Sequence, residues 1–226
     1  MTYTPIDWIH SDIDQVEIPC PQCGKSFEFD AWTLVNAKEN PDAVPRIIDG
    51  SICEFVCPNC GYSAHLAHPC LYIDPDRATC IYSVIDDSMK RKAIEMFADP
   101  DNEAAAISTC RIVEDRLDLA EKVLILSHGL DDRPIELLKF GIRGSLKLQG
   151  LADIDDDVVV RLEDYDGEDT LSFSVNCNEE HFSVDMELAA MEIFSEALND
   201  STVADDQPFF VDQSWGERTL DILEMD

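Results

Sequence analysis

Apolar and polar residues alternate near the start of the chain: Val16 and Ile18 precede a Cys-Pro-Gln-Cys-Gly turn, and Phe27 and Phe29 follow it. A period of two predicts strand, turn and strand over 14–35. Pro41, Pro45 and Gly50 predict a loop with at most a short helix over 36–50. Ile52, Phe55 and Val56 then lead into a second turn, Cys-Pro-Asn-Cys-Gly. Further strands are expected over 62–66, 71–73 and 78–85.

Beyond residue 85 the apolar spacing becomes helical. Asp86 or Asp87 can cap a helix running through Phe97. Leu117, Leu119, Ala120, Val123, Leu124 and Leu126 repeat at helical spacing, with Gly129 as the stop. Asp131 or Asp132 opens another helix with Pro134 in its first turn, expected to end before Gly144. Residues 158–177 read as a hairpin, VVVRLEDY and TLSFSVNC about an Asp166-Gly167 turn. A helix is expected from about Ser183 to Leu198, and 201–226 reads as an acidic tail. The division expected is 14–84, 85–200 and 201–226.

Charge changes the picture of possible partners. The chain carries a net −32, and residues 151–226, with 23 acidic and 2 basic residues, hold −21 of it. Phosphate backbones are bound by Lys and Arg that displace counterions, so nucleic acid is not the expected partner. The acidic surface is expected to serve solubility, with a basic protein partner as the alternative. No apolar run approaches the ~20 residues of a membrane span. The first residues, MTYTPIDWIHSDID, lack the basic and apolar regions of a secretory signal, so a cytoplasmic setting is expected.

In that setting nine cysteines point to metal ligation or chemistry rather than disulfides. Cys20, Cys23, Cys57 and Cys60 fall in two copies of Cys-Pro-x-Cys-Gly. Each turn can set two sulfurs about 2.3 Å from a shared ion, and two turns complete a tetrahedron. The 33 residues between Cys23 and Cys57 exceed the usual spacing of about 15–20, but loops lengthen at small entropic cost. One Zn2+ per chain is expected. Iron in a rubredoxin-like site and a thiol–disulfide redox pair are the alternatives. The paired CPQCG and CPNCG, with NAKENPDAVPRIIDGSICEFVCPNCGY around them and HPCLYIDPDRA after, resemble the CpXC domain family of bacteria and archaea. The resemblance implies zinc on these four cysteines and supplies no activity.

The expected architecture is therefore α+β: a zinc-ribbon-like, β-rich N-terminal domain, then helices and a hairpin-plus-helix unit. The expected function is a zinc-binding, non-catalytic interaction module with a protein partner. Cys53 is expected to be a buried apolar-like cysteine, not a fifth metal ligand. His68 and Cys70 could form a base and nucleophile, but no third orienting group or oxyanion donor is visible. Asp131, Asp132 and Glu136 are explained by helix capping. His128 suits a helix C-terminus, His10 and His181 are isolated, and Phe209, Phe210 and Trp215 could dock on the domain or on a partner.

Overall fold

A computed structural model describes residues 9–99, 107–150, 158–178, 180–200 and 208–223. The chain divides into two compact units at Val123 and Leu124.

In the first unit, β1 (Asp12–Pro19) and β2 (Ser26–Asn36) form the hairpin around the first cysteine turn. The short helix α1 (Ala43–Ile48) and a 3-10 turn (Ser51–Cys53) lead to β3 (Glu54–Val56) and β4 (Ser63–His65), which flank the second. β5 (Cys70–Asp74), β6 (Thr79–Ser83) and β7 (Thr109–Val113) complete a five-stranded mixed sheet of order β1-β2-β5-β6-β7. Pairing is antiparallel within β1–β2 and β5–β6, and parallel for β2–β5 and β6–β7. Val35, Tyr72, Ile73 and Ile81 are fully buried at its centre. Each such side chain contributes about 1.5–3 kcal/mol. Strand β7 lies beyond residue 84, so the sheet extends past the boundary expected from the sequence. A parallel neighbour needs a long crossover, and here α2 (Asp87–Ala98) supplies it. The Asp86 carboxylate caps α2 by accepting the Met89 N–H at 2.8 Å.

α3 (Arg116–Ser127) carries the chain across the division between the units. In the second unit α4 (Asp132–Leu148) is capped by Asp131, whose carboxylate accepts the Arg133 N–H. It runs past Gly144 because Leu146, one turn on from Ile142, is also buried. β8 (Val158–Tyr165) and β9 (Thr170–Cys177) form the expected hairpin, with Val160 opposite Val175 and Leu162 opposite Phe173. The expected helix from Ser183 is corrected at its start. β10 (Glu180–Glu187) is a third antiparallel strand, and α5 (Ala189–Asp200) begins after it. Phe182, Val184 and Met186 alternate with polar residues, a period of two.

The segment expected as a tail contains α6 (Gln213–Leu223). Trp215 is buried there with Leu137 and Val211, and Phe194, Leu198 and Leu220 pack around them. A Cβ on Gly216 would stand 3.4 Å from the Glu136 carbonyl oxygen, so glycine gives α6 its close seat on α4. Asp153, Asp155, Asp156 and Asp157 lie outside the described residues. Among the described residues no helix is long and apolar enough to cross a membrane.

Candidate metal centre

Each cysteine pair occupies the tip of a hairpin, and the two tips are built alike. In the first, the Cys20 N–H donates to the Lys25 carbonyl and the Gly24 N–H to the Cys20 carbonyl. In the second, Cys57 N–H reaches the Tyr62 carbonyl and Gly61 N–H the Cys57 carbonyl. Gly24 and Gly61 have φ of 71° and 73°, the left-handed region that glycine enters without strain. This bend turns the following N–H inward: Lys25 N–H donates to the Cys23 sulfur, and Tyr62 N–H to the Cys60 sulfur.

The ligand atoms of Cys20, Cys23, Cys57 and Cys60 all lie within 4.8 Å of one another. The short contacts run between the hairpins: 3.6 Å from Cys20 Sγ to Cys60 Sγ, and 3.7 Å from Cys23 Sγ to Cys57 Sγ. A tetrahedron with metal–sulfur bonds of ~2.3 Å has edges of about 3.8 Å. These contacts match that edge. The cluster can therefore hold a metal ion.

Hydrogen bonds tune the thiols. The Lys25 N–H is the main influence lowering the Cys23 thiol to about 6, with neighbouring thiols and Asn59 adding to it. At Cys57 burial pushes upward most strongly, yet the N–H groups of Asn59 and Cys60 bring the thiol below its usual range. Cys60 is pushed up to about 12. Its Tyr62 N–H contact lowers it, but burial and the three other sulfurs prevail. The cluster thus sheds its first protons readily and holds one tightly.

Further contacts join the tips besides those between sulfurs. Lys25 Nζ donates to Asn59 Oδ1 at 2.6 Å, and Gln22 Oε1 lies 3.9 Å from Cys60 Sγ. Below them Phe55 is buried, with ring centroids 5.7 Å from Phe27, 6.3 Å from Phe29 and 6.4 Å from Tyr62. Strands of three residues hold poorly alone. Phe55 is what seats the β3–β4 hairpin on β2.

The remaining candidates fall elsewhere. Cys53 sits in the 3-10 turn, half-buried, its thiol donating to the Gly50 carbonyl at 3.3 Å, outside the four-sulfur cluster. Burial pushes the Cys70 thiol up to about 12, opposite to what a nucleophilic thiolate needs. His10 contacts Glu39, His181 contacts Asn176, and His128 Nδ1 bonds the Leu124 carbonyl in the last turn of α3. Asp132 is fully buried, and Glu136 accepts from Lys139 Nζ at 3.0 Å. Sequence reasoning missed a cavity of about 200 Å³ in the first unit, lined by Phe29, Trp32, Ile52, Leu66, His68 and Arg116 among others. Its walls come from separate segments that share no motif.

A family model described as CpXC protein matches residues 18–139, a span that includes all four clustered cysteines. No curated protein and no solved structure matches the chain.

Proposed function

Because the chain belongs to the CpXC family, we propose that it binds one zinc ion through Cys20, Cys23, Cys57 and Cys60 as a structural, non-catalytic module. The observation that carries this reading is the pairing of sulfurs across the two tips at 3.6 and 3.7 Å. Two independent dithiols would bring sulfurs together within each tip, whereas a shared ion draws all four to one centre. Four thiolates leave a tetrahedral ion no open position for substrate or water, so its work is to hold structure. It ties the β1–β2 hairpin to the β3–β4 hairpin, whose own strands are too short to persist. The backbone N–H donors to Cys23 and Cys60 offset part of the thiolate charge and orient the ligands.

As an interaction module it acts on a protein partner. A net charge of −32 repels phosphate backbones. Native mass spectrometry with metal-edge X-ray absorption on the purified full chain tests the proposal. One zinc with four sulfur neighbours is expected. Iron in the same shell would replace zinc by a redox centre. A metal-free chain with native-like structure and a reversible disulfide would refute the module.

A further inference from the structure

The cavity in the first unit combines an apolar body with two polar side-chain groups that make no hydrogen bond among the described residues. Phe29, Trp32, Ile52 and Leu66 line it, and all four remain only partly buried. Wet aromatic and branched side chains around one concavity are what a ligand would cover. His68 also lines it, and its Nε2 is buried with no hydrogen-bond partner. Such an orphaned group keeps an uncompensated desolvation cost unless something satisfies it.

Arg116 adds a positive charge to the same cavity. It is the one Lys or Arg lining the cavity, and its charge acts on the nearby Cys53 thiol, but its guanidinium makes no hydrogen bond or ion pair among the described residues. The two acidic residues beside it are engaged elsewhere. Glu114 pairs with Lys90 at 2.7 Å, and the Asp115 carboxylate caps α3 by accepting the Asp118 N–H at 2.9 Å. The guanidinium lies so close to Gly50 that a Cβ there would stand 2.4 Å from Nη1. Gly50 also has φ of 80°, so glycine serves both the turn and the seat of the arginine.

We infer that this cavity binds a small organic carboxylate, its aromatic or branched aliphatic body among Phe29, Trp32, Ile52 and Leu66 and its carboxylate on Arg116 and His68. Charge-assisted bonds from a guanidinium suit a carboxylate in both charge and shape. An apolar cavity of 150 Å³ accommodates a benzene ring, so about 200 Å³ takes a ligand on the order of ten non-hydrogen atoms.

The test uses the full chain with 4-fluorobenzoate as probe and 4-fluorobenzyl alcohol as its uncharged counterpart, followed by fluorine NMR. Saturable binding of the carboxylate is expected at about millimolar or tighter, as befits so small a ligand. The alcohol should bind about tenfold more weakly, because it forfeits the charge-assisted bonds. Arg116→Gln should bring the carboxylate down to the level of the alcohol and leave the alcohol unchanged. Arg91→Gln, on the exposed face of α2, should alter neither. Absence of saturable carboxylate binding, or equal affinity for the two probes on the unaltered chain, would overturn the inference. That comparison needs no substitution, so it stands even if Arg116→Gln fails to fold. A folded Arg116→Gln that keeps full carboxylate affinity would overturn it too.

Discussion

Replacing Phe55 with alanine should weaken metal binding even though residue 55 supplies no ligand. Phe55 is 5% exposed and has three aromatic neighbours, two of them on β2. Truncating a buried phenylalanine costs about 3–5 kcal/mol, part of it from the cavity left behind. With metal bound, the ion also fastens the tip of the β3–β4 hairpin. Without metal, the docking of that hairpin rests chiefly on Phe55 and the Lys25–Asn59 contact. The loss therefore falls more heavily on the metal-free protein, and the ion must then supply the missing docking energy. If about 2 kcal/mol of the loss enters the binding equilibrium, the dissociation constant rises about thirtyfold. Competition against a chromophoric chelator measures this directly. Trp215→Ala serves as a control for general destabilisation, because Trp215 belongs to the core around Leu137 and Val211. An unchanged constant for Phe55→Ala, or an equal rise for both variants, would refute the reasoning.

Trp215→Ala itself should cost about 3–5 kcal/mol, with hydrogen-exchange protection lost among residues after 124; loss spread evenly over the chain would contradict the two-unit division. Metal affinity should rise with pH between 6 and 8, since Cys60, pushed up to about 12, is protonated across that range and the ion must displace its proton. Below about 6 the Cys23 thiol also takes a proton, so the dependence should steepen there; a chelator titration flat from pH 5 to 8 would exclude proton competition. Gly24→Ala and Gly61→Ala each meet empty space at the new Cβ, so their cost is the left-handed backbone alone, about 1–2 kcal/mol apiece by thermal melting. A loss several times larger at either site would mean a steric role for that glycine.

The four cysteines were legible because a whole five-residue unit occurs twice and its chemistry is local. The same holds for Asp86 and Asp131 as caps and for the β8–β9 hairpin, where alternation and the Asp166-Gly167 turn sit within twenty residues. β7 was not legible: TCRIV is a run of five residues whose pairing with β6 spans a crossover and leaves no local mark. β10 was overrun because its apolar residues continue into the helical spacing of α5, and the change of period at Glu187–Ala189 is abrupt. α6 was hidden by its charge, which describes its exposed face while Trp215 describes the buried one. The cavity was hidden for a different reason. Gly50, His68 and Arg116 are far apart in sequence, and it is the sheet order β2-β5-β6-β7, with its two long-range parallel pairings, that brings their segments together.

The five-stranded sheet ends on β1, whose outer edge has no strand beside it among the described residues. An unpaired edge of eight residues is a template on which a second chain could build. β1 answers this with exposed carboxylates, Asp12 and Asp14 on one face and Glu17 on the other, followed by Pro19. Glu28 and Asp30 on β2 extend the same acidic surface. A copy of β1 laid alongside would bring carboxylates against carboxylates, and like charges across strands repel. Some of the chain's negative charge thus works as a local guard against fibre-like self-association at this open edge of the sheet.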